Sequence, residues 1–116
     1  EGKPMLGMAS WLAQVAEAGE KAIPADDPVY GYAAKVGIGE DLLLLCWREF
    51  KRRQLAGSKR QKDWRQAFRN CVQGSWYRLW FLKGGEGAQL TSAGEQVRRF
   101  FEAEDEAASG QEGQGA

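Results

Sequence analysis

Two apolar stripes at the helical period, separated by a short and very polar connector, constrain this chain more than any other feature. Leu43, Cys46, Trp47 and Phe50 stand at i, i+3, i+4 and i+7, and Trp64, Phe68, Cys71 and Val72 at i, i+4, i+7 and i+8. Residues so spaced share one face of an α-helix, whereas a strand would send them to both faces. Only Gly57-Ser58-Lys59-Arg60-Gln61-Lys62 and the residues at the helix ends lie between the two stripes. The two helices must therefore bury their stripes against each other or against a shared neighbour.

The longer helix is predicted over residues 40–56. Glu40 and Asp41 fall in its first turn and Arg48, Lys51, Arg52 and Arg53 in its later turns, the polarity that the helix dipole favours. Leu42, Leu44 and Leu45 widen its stripe, so neighbours are expected on two sides. Asp63 is expected to cap the next helix, which stops at Gly74-Ser75.

Upstream, residues 1–8 read as a disordered lead-in. Ser10 is expected to cap a short helix with Trp11, Leu12, Val15 and Ala16 on one face, stopped by Gly19. Asp27 followed by Pro28 is a favoured helix start. That helix should place Val29, Tyr32, Ala33 and Val36 inward and end at Gly37. Downstream the period changes to two. Ser75 to Leu82 alternates, with Tyr77, Leu79 and Phe81 on one side and Trp76, Arg78 and Trp80 on the other. This predicts a strand, a turn over Gly84 to Gly87, and a return strand from Ala88 to Thr91.

Ser92 and Glu95 have capping-box spacing for a last helix, with Val97, Phe100 and Phe101 on its core side and its end near Ala107. Residues 108–116 read as a disordered tail. The predicted fold class is mainly α: a small helical domain of four to five helices with one short β-hairpin at about 75–91. Residues 25–107 form the domain, and residues 1–24 are a lead-in bearing the short amphipathic helix. The expected core is Leu43, Trp47, Phe50, Trp64, Phe68, Val72, Val97 and Phe100.

Charge is segregated along the chain. Its 16 basic and 16 acidic groups cancel, yet residues 1–47 carry a net −4, residues 48–83 a net +9 and residues 84–116 a net −5. A basic block of this density is the electrostatic footprint of a polyanionic partner. Arg48, Lys51, Arg52, Arg53, Lys59, Arg60, Lys62, Arg65 and Arg69 are the candidate phosphate contacts, binding by counterion release. An ordinary solvated face, partly neutralised by the acidic ends, is the alternative. Trp76 and Trp80 are candidates for stacking on unpaired bases, against a purely structural role on a hairpin.

Much chemistry is excluded. Without histidine there is no imidazole base or nucleophile partner, and no His-containing zinc site. The carboxylates flank the basic block and have local explanations as helix-start or tail charge, so no catalytic residues, metal or cofactor are expected. Cys46 and Cys71 fall on apolar helix faces and read as buried free thiols. The longest apolar run, Leu42 to Trp47, falls far below the ~20 residues that span a bilayer. No membrane contact and a cytoplasmic location are expected.

Several of these residues also carry a resemblance. Gly37-Ile38-Gly39-Glu40-Asp41-Leu42, the helix closing on Phe50, the basic connector, and Asp63-Trp64 followed by Phe68-Arg69-Asn70 resemble the C-terminal module of primosomal DnaT proteins and related phage replication and helicase-loader proteins. The likeness covers about residues 30–80, and Cys71 stands where those proteins often have Trp. It implies a small helical bundle that binds single-stranded DNA and helps deliver a replicative helicase. Leu90-Thr91-Ser92-Ala93-Gly94 before an amphipathic helix is similar to the close of winged-helix DNA-binding domains. The functional expectation is a non-enzymatic, replication-associated DNA-binding module of a phage or mobile element, with single strands slightly preferred. The alternative is a module that docks a helicase or another protein without touching DNA, using the basic patch or the Trp11-Leu12-Val15 helix.

Overall fold

Phe50, on the long central helix, is completely buried, and its neighbours define the fold. Its ring packs edge-on against Trp64, at 5.9 Å, and tilted against Phe68, at 5.5 Å. The two apolar stripes thus meet face to face. In this computed structural model, which describes residues 4–114, the elements follow the order β1 (Leu6–Gly7), α1 (Met8–Glu17), α2 (Pro28–Val36), α3 (Glu40–Ala56), β2 (Arg60–Gln61), α4 (Trp64–Gly74), β3 (Trp80–Lys83), β4 (Gly87–Leu90) and α5 (Ser92–Gln114). The domain is mainly α, with one hairpin, β3–β4, and a second antiparallel pair, β1–β2.

Local chemistry sets the helix boundaries. Asp27 caps α2 by accepting the Val29 amide at 2.9 Å, Pro28 follows at the first turn, and Gly37 closes the helix at φ 94°. Asp63 caps α4 through the amide of Gln66. Val29, Ala33, Ile38, Leu42, Leu43, Leu45, Cys46, Trp64, Phe68, Cys71, Val72, Leu79 and Phe101 join Phe50 in one continuous core. Each large side chain so buried contributes about 1.5–3 kcal/mol.

The structure departs from the sequence reading in several places. Residues 6–8 belong to the fold rather than to a disordered lead-in: Leu6 and Gly7 pair with Gln61 and Arg60, and Met8 is buried. Helix α1 begins at Met8, with Gly7 rather than Ser10 in the cap position. The alternating strand from Ser75 does not form. Ser75 and Arg78 adopt left-handed backbone (φ 49° and 53°), which curls 75–79 into a turn, and β3 begins only at Trp80. Leu79 and Trp80 are consequently both buried, while Phe81 and Leu82 are exposed.

The last helix is capped by Thr91, not Ser92. The Thr91 hydroxyl accepts the Gly94 amide and donates to the Arg78 carbonyl. Phe101 takes the core position, and Phe100 is 43% exposed. Helix α5 continues past Ala107 to Gln114 although it carries glycine at 110 and 113, each costing only about 1 kcal/mol relative to Ala. The tail assigned to 108–116 is therefore helical as far as Gln114, and residues 115–116 lie outside the described residues. On α3, Leu42 and Leu45 are buried as the widened stripe requires, whereas Leu44 faces solvent.

Candidate nucleic-acid interface

Helix α3 turns its arginines toward two different neighbours. One turn separates Glu49 from Arg52 and Arg53, and both guanidinium groups close on its carboxylate, Arg52 Nη2 at 2.8 Å and Arg53 Nε at 2.6 Å. Burial pushes the Glu49 carboxyl up, but the hydrogen bonds from Arg52 and Arg53 outweigh it and hold the group below the ordinary carboxylate range. Arg52 lies over the Phe100 ring and Arg53 over the Tyr77 ring, at 4.8 and 4.2 Å. Arg48 spans to α5, where it holds Asp105 through two hydrogen bonds of 3.0–3.1 Å and covers the Phe101 ring. These three arginines gather on the seam between α3 and α5.

The arginines of α4 face the opposite end of the sequence. Arg65 donates to the carbonyls of Lys21 and Ala22 and pairs with Glu20. Arg69 reaches the buried Asp27 at 2.9 Å and also holds Gln66. The basic block is thus divided between two neighbourhoods, and the acidic ends of the chain supply much of the neutralisation.

Lys51, Lys59, Arg60 and Lys62 have no ion-pair partner among the described residues. Lys51 lies 5.8 Å from the centroid of the Trp47 ring. The other three are exposed just ahead of the α4 N-terminus, Arg60 in β2 of the ribbon and Lys59 and Lys62 flanking that strand. Pairing with Leu6–Gly7 gives this connector a backbone register that its composition did not disclose.

Of the two candidate stacking residues, Trp76 is 48% exposed with its ring against Phe50, and Trp80 is 8% exposed and belongs to the core. Trp80 offers no free face to a base. Glu49 is the residue that sequence reasoning passed over. Its only signal was an acid inside a basic helix at i, i+3 and i, i+4 from two arginines.

Among the described residues, no three of Cys, Asp or Glu converge as metal ligands would, and no helix is long and apolar enough to cross a membrane. Cys46 and Cys71 are buried free thiols with their sulfurs 4.0 Å apart. The site and the fold together define a small helical domain with a cationic connector ribbon and an arginine-rich helical seam. No family model, curated protein or solved structure matches the chain.

Proposed function

We propose that this chain is a non-enzymatic DNA-binding module, associated with replication and cytoplasmic, that holds phosphates through its basic connector and prefers single strands. The observation that carries this reading is the exposed set Lys59, Arg60 and Lys62, unpaired within the described residues, with Arg60 held in the β1–β2 ribbon and the two lysines flanking it. Free cations on an ordered backbone lose little freedom when they meet phosphates, and each neutralised phosphate releases counterions. The likeness of about residues 30–80 to DnaT-type modules adds the replicative setting and a helicase as the companion protein.

Fluorescence anisotropy with labelled single- and double-stranded oligonucleotides across a salt series tests it. Three phosphate contacts on a single strand give a log–log salt slope of about −2. The triple variant Lys59→Gln/Arg60→Gln/Lys62→Gln is expected to flatten that slope and weaken all sequences alike. Absence of binding to both DNA forms at low salt would reject the proposal. Exposed Phe81 and Leu82 on the hairpin favour a second function, docking of a replication protein without DNA contact. Under that second function the triple variant leaves partner capture unchanged, whereas Phe81→Ser abolishes it.

A further inference from the structure

Glu49 is a charged group with no role in the connector. Its side chain is 0% exposed, yet it accepts from Arg52 Nε and Nη2 and from Arg53 Nε, while the two arginine side chains remain 47% and 51% exposed. A buried carboxylate is neutralised by one arginine; the second leaves a net charge of +1 fixed at the spot. The rings of Phe100 and Tyr77 support the two guanidinium planes. All five side chains line one small cavity of about 250 Å³, beside Gln96 and Val97. The bonds to Glu49 use three guanidinium nitrogens, which leaves Arg52 Nη1 and both Nη atoms of Arg53 to donate elsewhere.

We propose that Arg52 and Arg53, oriented by Glu49 and backed by Phe100 and Tyr77, form a site for a single phosphodiester group of a nucleic-acid strand. The inference rests on the DNA-binding reading above and adds a discrete site to it. Charge supports the assignment, because one monoanionic phosphodiester balances the triad. Geometry supports it too, because a guanidinium fork matches phosphate oxygens in a plane and its orientation is fixed before binding. Glu49 acts here as a positioning residue: it touches the arginines and not the phosphate.

The test uses the full chain and a fluorescein-labelled oligothymidylate. Arg52→Lys/Arg53→Lys preserves formal charge but removes the forks, and is expected to weaken binding about tenfold, the effect of losing one charge-assisted contact. Glu49→Gln removes a negative charge, so summed electrostatics alone makes binding tighter; the positioning role makes it weaker. Unchanged affinity in the double lysine variant, or tighter binding by folded Glu49→Gln, overturns the site while leaving the connector reading intact. If Glu49→Gln does not fold, the double lysine variant decides. If the wild-type chain binds no oligonucleotide, the functional reading falls, and titration with dimethyl phosphate decides the site separately. Saturable shifts of the Arg52 and Arg53 Nε–H resonances then support it, and their absence rejects it.

Discussion

Arg69 of α4 and Asp27 at the head of α2 form an ion pair at 2.9 Å whose two side chains are 17% and 3% exposed, although 42 residues separate them in sequence. One oxygen of Asp27 caps α2 and the other receives the guanidinium, so a single carboxylate orders a helix start and ties it to α4.

Removing either partner leaves the other charge largely buried. Asp27→Ala is expected to cost about 3 kcal/mol, combining a lost cap with an uncompensated charge, and Arg69→Ala a similar amount. Urea unfolding followed by tryptophan fluorescence measures both. Unchanged stability combined with weaker DNA binding in Arg69→Ala would instead return Arg69 to the DNA contacts.

Acid should loosen the α3–α5 seam. Because the folded-state Glu49 carboxyl is held below its ordinary value, its contribution is fully present above the unfolded value of about 4.3 and is lost as pH falls through the lower folded value. Urea midpoints are therefore expected to stay level from about pH 7 to 5 and to drop below about pH 4. Hydrogen bonds from Arg98 to Glu95 and from Arg48 to Asp105 hold those carboxyls low as well. Glu49→Gln should thus shrink the acid limb without abolishing it.

Gly94 marks where α5 leaves the hairpin. A Cβ there would overlap the Leu79 carbonyl, the same oxygen that accepts the Thr91 amide, so backbone rather than a movable side chain would have to yield. Gly94→Ala is expected to cost about 2–3 kcal/mol and lower Tm accordingly. Gly84→Ala, which meets nothing within 4 Å, is the near-neutral control.

The two thiols should be chemically silent in the folded chain. The hydrogen bond with Cys71 and burial both push the Cys46 thiol far up, so that residue holds almost no thiolate at neutral pH, and Cys71 is fully buried out of reach of a reagent. Ellman's reagent at about pH 8 is expected to count no reactive thiol in the native protein and both after unfolding in denaturant. Rapid labelling of native protein would show that α3 and α4 separate readily.

The bounds of α3, the Asp27 and Asp63 caps and the Gly37 stop were legible because each depends on residues within one or two turns. The turn over 75–79 was not, since left-handed backbone at Ser75 and Arg78 is unusual for residues with side chains and leaves no mark on the alternating pattern. The β1–β2 pair was equally hidden: two-residue strands carry no period, and Leu6 and Gln61 lie far apart along the chain. Of the candidate site, the connector cations were readable as a run. The division of the arginines was not.

By itself, the sequence determined that this is a mainly helical domain built on two apolar stripes, and that its positive charge concentrates around them. Both follow from periodicity and composition over neighbouring residues. Only the tertiary structure decided which cations remain available. Arg48 finds Asp105 57 residues away, Arg65 finds Glu20, and Arg69 finds Asp27, whereas Lys59, Arg60 and Lys62 find no carboxylate among the described residues. An ion pair acts over a few ångströms of space whatever the separation along the chain, so its partners are chosen by packing.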